Sequence, residues 1–414
     1  MTFGDLNIRQ NFQSRNAMNA HTILTKIISL VSFTMHKSRQ NSLIASVQSL
    51  TNGHAATVTS IGRGIRSRAF EKHRIKRADR LLSNSHLQRE MPYLYQAICY
   101  LFCRSKHPVI AVDWSDLDDC KGQFLLRAAM IVKGRTMTLY QEVHSNKTKE
   151  KAATHKRFLS TLHTMLPAGC EPIVVTDAGF KSPWFRQVRA LGWHIVGRVR
   201  KPHFYSLDGG ATWQSIVQLY QQATSRPRCF DIAQIARYKP FKCSLILCKE
   251  KTRGRHATNP DGSRKQSKTS LTHSQGATDP WLLATSLPPH RNLAKQVVAI
   301  YRQRMQIEEG FRDMKSTRFG LGFEQNNSIK PARLTILILL TTLASLVAIL
   351  LGMVLTITNK HRRFQANTAT KQVLSFHTLG LRALAARMRF TQSQWKRAIN
   401  LFHANADEAW HGAI

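Results

Sequence analysis

The chain has 414 residues, room for about two or three domains around a substantial core. It carries 61 Lys plus Arg against 23 Asp plus Glu, a formal charge of +38 spread from end to end, which points to a polyanion held through its phosphates, DNA or RNA first, with an anionic membrane as competitor. Seven scattered cysteines, an odd number without zinc-site spacing, read as reduced thiols of a cytosolic protein and not as a disulfide framework.

Residues 1–19 are polar and unpatterned, a flexible start with no secretory signal; Met18 is an alternative first residue of the folded part. Residues 20–105 read as a helical region. Within it, RSRAFEKHRIKRADRLLSN (66–84) is a basic amphipathic helix, with Ala69, Ile75, Leu81 and Leu82 on its apolar side. Its Arg74, Lys76, Arg77 and Arg80 form a cationic face that suits DNA phosphates or simply water.

From residue 108 the texture changes. PVIAVD (108–113) is a short apolar strand that ends in an acid. QFLLRAAMIV (123–132), a turn at Gly134 and TMTLYQEV (136–143) form a hairpin. A helix over 151–166 precedes EPIVVTD (171–177), another apolar strand ending in an acid; a helix over 182–192 and a strand over 194–200 follow. The order β-β-β-α-β-α-β predicts an α/β fold, a mixed sheet flanked by helices. Asp113 and Asp177 then stand at strand ends, where such sheets place ligands.

Residues 201–295 interrupt the pattern with strands at 243–250 and 281–287 and a polar, basic, aperiodic loop between them, read as mobile. YRQRMQIEEGFRDMK (301–315) follows. On one helix its Tyr301, Arg304, Glu308 and Lys315 fall in a stripe roughly 60° wide, with Glu309 well off it. Such a stripe sets a metal-holding carboxylate between phosphate-binding groups, although Arg304 and Glu308 also fit an ordinary i,i+4 surface pair. Leu334 to Ile357 carries no charge; from this window alone a membrane span and a buried helix fit equally. The tail reads as one or two helices, with Leu379, Leu381, Leu384 and Met388 at helical intervals.

Asp113, Asp177 and Glu308 together could hold two divalent ions about 4 Å apart, the arrangement that serves phosphoryl transfer. Taken singly, Asp113 and Asp177 could each cap a turn or helix.

The chain resembles the DDE transposases of bacterial insertion sequences, in the insertion-sequence-four family that includes the Tn-ten transposase. The resemblance spans roughly residues 20–400. VDWSD (112–116), VTDAGFKSPWF (175–185), WLLATSLP (281–288) and YRQRMQIEEGFRDMKS (301–316) carry it, with HRIKRADRLLSN (73–84) near the N-terminus. Residues 1–17 and the extra acids Asp118 and Asp119 have no counterpart.

The resemblance implies a ribonuclease-H-like catalytic domain in two parts (106–204 and 296–360), split by a β-rich insertion at 205–295. A helical DNA-binding region (20–105) precedes it and a helical C-terminal region (361–414) follows. It implies Asp113, Asp177 and Glu308 as the catalytic, metal-binding triad for Mg²⁺, with two ions expected and Mn²⁺ able to substitute. Tyr301, Arg304 and Lys315 are implied as DNA-phosphate contacts. Trp281 matches a residue that stacks a flipped base, although a Trp in an apolar strand also fits a core. The implied partners are terminal inverted repeats and target DNA, bound by a dimer. The implied location is the bacterial cytoplasm and nucleoid, with 334–357 buried inside a soluble fold. A ribonuclease-H-like nuclease without strand transfer and a non-enzymatic DNA-binding protein stay open as alternatives.

Overall fold

A computed structural model describes residues 20–29, 35–118, 122–250 and 278–411, with 263–264, 266–267 and 271 between them. The expected flexible start, Asp119 and most of the basic loop after residue 250 lie outside the described residues.

The N-terminal region is helical as expected: α1 (Ala20–Ser29), α2 (Lys37–Thr51), α3 (Val58–Gly64), α4 (Glu71–Leu82) and α5 (Ser85–Phe102). Side-chain caps start α3 and α5. Thr57 Oγ1 accepts from the Ser60 amide at 3.2 Å, and Asn84 Oδ1 accepts from the Leu87 amide at 2.8 Å. The basic helix begins at Glu71, not at residue 66. The Arg74 guanidinium donates to the carbonyls of Arg63 and Ile65, both at 3.0 Å, and this holds the chain before α4 as a turn beside the end of α3.

The next block is β1 (Val109–Asp116), β2 (Gln123–Val132), β3 (Arg135–Ser145), α6 (Ala152–Met165), β4 (Ile173–Thr176), α7 (Ser182–Ala190) and β5 (His194–Val199). Gly134, at φ +79°, makes the β2–β3 turn. The sheet order here is β3-β2-β1-β4-β5. β1, β4 and β5 run parallel, and β2 and β3 complete an antiparallel hairpin. This is a mixed α/β arrangement consistent with a ribonuclease-H-like domain.

The interrupting segment supplies β6 (Phe204–Ser206), β7 (Gln214–Ser215), α8 (Ile216–Tyr220), β8 (Arg228–Ile235), β9 (Phe241–Cys248) and β10 (Trp281–Thr285). These strands do not form a separate sheet. β10 pairs antiparallel with β5, and β9, β8, β6 and β7 continue outward to complete ten strands.

After the sheet come α9 (Leu293–Gln303), α10 (Gln306–Lys315), α11 (Pro331–Ile357), α12 (Phe376–Ala385) and α13 (Gln392–His411). α11 is long and apolar enough to cross a membrane, but here its side chains from Ile336 to Leu355 are nearly all buried. It packs against α2, α4, α5, β3, α12 and α13. The α11–α12 crossing is close because both helices present glycine. A Cβ on Gly352 would lie 1.9 Å from the Phe376 carbonyl oxygen, and one on Gly380 would lie 1.8 Å from that of Ala348. The six described cysteines are free thiols.

Candidate active site

The strand pairing sets out the two aspartates. The β1–β4 parallel ladder ends at Ala111 opposite Val175. β1 continues to Asp116 only because β2 still pairs with it, so Asp113 lies inside a longer strand than its apolar run suggests. Asp177 directly follows β4. Both acids therefore emerge where the parallel strands part, at their C-terminal edge. Asp177 does not cap α7; its Oδ1 accepts from the Gly179 amide at 2.9 Å. Asp113 Oδ1 accepts from the Trp114 amide at 2.8 Å. Burial, and next the charge of Asp177, push the Asp113 carboxyl up to about 7 against the opposing pull of Arg304.

Residues 301–315, read in sequence as one helix, form two. The break is at Arg304–Met305, between α9 and α10. The Arg304 amide bonds the Tyr301 carbonyl at 3.1 Å, and the Ile307 amide bonds the Arg304 carbonyl at 3.1 Å; these i→i+3 links tighten the chain where a straight helix would run on. Apolar periodicity does not register such a step, since Ile300, Ile307, Phe311 and Met314 are buried on either side of it.

Arg304 stands at the break, between two of the three acids. Its Nη1 donates to Asp113 Oδ2 at 3.1 Å and its Nη2 to Glu308 Oε1 at 2.9 Å. Burial opposes its charge, but Tyr301 and the acids outweigh that and raise its pKa. Glu308 keeps 41% of its side-chain surface exposed, so the cluster opens to solvent on that side. Glu309 turns away and pairs with Arg312 at 3.6 Å. Lys315 Nζ donates to Ser115 Oγ at 2.8 Å and to the Asp116 carbonyl, which pins the end of α10 to the end of β1. Tyr301 is buried, and Trp281 meets its ring edge-on at 4.8 Å. Trp281 is half-buried at the start of β10.

Three carboxylates offer hard oxygen donors of the kind Mg²⁺ takes. Burial first, and the Asp177 charge second, raise the Asp113 carboxyl, and Arg304 is the cation that opposes them. The donor set thus fits a divalent ion. Among the described residues, however, no three acidic, His or Cys side chains already stand in metal-holding geometry, and the Arg304 guanidinium lies between Glu308 and Asp113.

One residue here was missed in the sequence: Arg198, at the end of β5. In register Thr176 pairs with Gly197, so Arg198 stands beside Asp177 along the strand ends. It is also among the charges felt by Tyr301. Its Nη2 bonds the Asp279 carbonyl at 3.0 Å, while its buried Nε has no partner. A lone Arg in a strand carries no motif, and only the parallel register reveals it.

The basic face of α4 lies elsewhere. α4 packs on α2, α3 and α11, none of which carries a member of the triad. Arg74 is tied to α3, and Arg77 Nε donates to Ser42 Oγ at 3.0 Å. Lys76 and Arg80 are exposed, with Lys76 3.3 Å from Asp79. Asp118 serves a turn, accepting from the Gly122 amide at 2.7 Å.

Behind Asp113, Trp114 Nε1 donates to His155 Nε2 at 3.3 Å, and His144, Phe180 and Trp184 close around the two rings. Burial, and secondarily His144, bring His155 down to about 4 from 6.5. The unfolded chain therefore takes up this proton first. The stabilisation is full above about 6.5 and is lost as pH falls from there toward about 4. Burial lowers His194, His377 and His403 in the same direction. This histidine contribution to the urea midpoint is expected to fall between about pH 7.5 and pH 5, while Asp113, raised to about 7, takes up its proton in the folded state and offsets part of the change. His155→Gln, which keeps an acceptor for Trp114, should shrink that fall; an unchanged pH profile would count against this role.

No curated protein matches the chain. Residues 104–347, which run from the loop before β1 into α11 and include all three acids, match the family described as the transposase DDE domain. More than half of the chain lies in that span, and with the acids gathered at the sheet edge the conclusion follows that this protein belongs to the DDE transposases.

Proposed function

We propose that the protein is a cut-and-paste DNA transposase of the insertion-sequence-four type. One observation supports the reading above others: Arg304 joins Asp113 to Glu308 across 195 residues of chain, beside Asp177. Asp113, Asp177 and Glu308 are the residues that would hold Mg²⁺, or Mn²⁺ in its place. Bound there, the metal would activate an attacking oxygen and stabilise the leaving oxygen at phosphorus. The chain's own groups position the strand. Arg304, Lys315 and Tyr301 face its phosphates, joined by Arg198, and Trp281 offers a ring to an unpaired base. Water is the first nucleophile at the transposon end and frees a 3′ hydroxyl. That hydroxyl attacks the opposite strand to close a hairpin, which is then reopened, and the 3′ ends attack target DNA. All steps are phosphoryl transfers, so one site serves them.

In this reading residues 20–105, with Arg74, Lys76, Arg77 and Arg80, contact the terminal inverted repeats, and residues 205–295 form the insertion. A dimer holds two ends, and the protein works at the nucleoid in the cytoplasm. α11 is an internal helix and not a membrane span.

The test is incubation with Mg²⁺ and DNA bearing the terminal repeats beside its own gene. Hairpin ends and joined products are expected. Cleavage without joining of pre-cut ends would replace this reading with a nuclease, and absence of metal-dependent nicking would replace it with a non-enzymatic DNA binder.

A further inference from the structure

We propose that Arg304 is a tethered counter-ion: it holds Asp113 and Glu308 in the DNA-free protein and releases them to metal when a DNA phosphate takes its guanidinium. The inference rests on the triad reading above and adds an order of events, in which metal loading waits for DNA.

The hydrogen bonds make the competition specific. Asp113 Oδ1 is engaged by the Trp114 amide, so Oδ2 is the oxygen turned toward the cluster, and Arg304 Nη1 occupies it at 3.1 Å. Nη2 occupies Glu308 Oε1 at 2.9 Å and also lies 3.1 Å from Met305 Sδ. A divalent ion shared by the same two carboxylates draws on the same negative charge and is repelled by a guanidinium among them. Metal and the observed Arg304 pairing therefore compete for the same two carboxylates.

The guanidinium also has a reason to leave. Its Nε is buried without a partner, and sulfur is a weak acceptor for Nη2. A phosphate presents two oxygens to the planar fork and satisfies it better. The Arg304 side chain is itself buried, 10% exposed, and the solvent-facing side of the cluster is that of Glu308, 41% exposed. The break at Arg304–Met305 supplies a joint at the residue that must turn. Coupling of this kind is reciprocal, so DNA tightens metal binding by the factor by which metal tightens DNA binding.

The experiment is Mn²⁺ titration of the full chain read by electron paramagnetic resonance, with and without a pre-cut duplex carrying the terminal repeat. Free duplex and Asp113→Asn protein serve as controls. In wild type, Asp113-dependent Mn²⁺ affinity should rise at least about 10-fold with duplex. In Arg304→Gln it should already be tight without duplex, and the gap between the two states should close. Equal Asp113-dependent affinity with and without duplex in wild type overturns the inference and leaves the triad reading standing. No Asp113-dependent Mn²⁺ binding in either state overturns both. The wild-type comparison decides even if Arg304→Gln does not fold.

Discussion

Asp113→Asn, Asp177→Asn and Glu308→Gln are each expected to lower metal-dependent DNA cleavage by at least about 10³-fold while DNA affinity holds or rises. The magnitude follows from the several kcal/mol that metal coordination supplies, at about 1.4 kcal/mol for each tenfold in rate. Affinity holds because these acids repel phosphate rather than bind it. Glu309→Gln is the internal control. It sits next in sequence, keeps 45% of its side-chain surface exposed and pairs only weakly with Arg312, 3.6 Å away, so its substitution should change cleavage less than about threefold. Single-turnover cleavage of a labelled repeat end, with binding measured by anisotropy, separates the two effects. A Glu308→Gln protein that cuts at the wild-type rate would remove the acid from the mechanism.

That Glu308 and Glu309 face different ways was legible because helical spacing alone separates them, and the break at Arg304–Met305 leaves both within the same helix, α10. The break itself was not legible, since an i→i+3 step leaves the apolar pattern intact. The strand runs around Asp113 and Asp177 were readable as apolar segments, and their adjacency followed from the β-α-β order. The extension of β1 to Asp116 and the joining of β6 to β10 onto the same sheet depend on which edges pair, and period-two patterning does not name a partner. The window 334–357 could not be decided from hydropathy because a fully buried helix and a membrane span share one composition. In the structure its neighbours, from α2 to α13, bury it, which no composition reveals. The start of the basic helix was read five residues early, because Arg66 and Arg68 continue its charge while the carbonyls that Arg74 binds lie on α3 and just after it.

Asp313→Ala is expected to destabilise the fold by about 1–3 kcal/mol, the cost of leaving a half-buried cation without its partner. Asp313 is 6% exposed on α10, and it accepts from Arg135 Nε of β3 at 2.8 Å. His377 of α12, fully buried, lies 3.7 Å from its other oxygen, and burial keeps that imidazole below its ordinary pKa despite the nearby acid. Next to this pair Arg127 is buried too, donating to Gln141 Oε1 at 2.8 Å and lying over Phe311 at 4.7 Å. The inner face of α10 therefore rests on polar groups that hydrophobic patterning cannot anticipate, while Glu308 opens from the same helix toward solvent. If the ion pair seats the helix, Asp313→Ala should lower the thermal midpoint and weaken cleavage beyond the loss of folded protein, because Glu308 loses its register against Asp113. An apolar replacement of both partners, Arg135→Met with Asp313→Leu, should recover most of the stability, since neither charge is then left unpaired. Asp313→Ala within about 0.5 kcal/mol of wild type would mean that packing of Ile307, Phe311 and Met314 alone holds α10, and that the ion pair contributes nothing to placing the third acid.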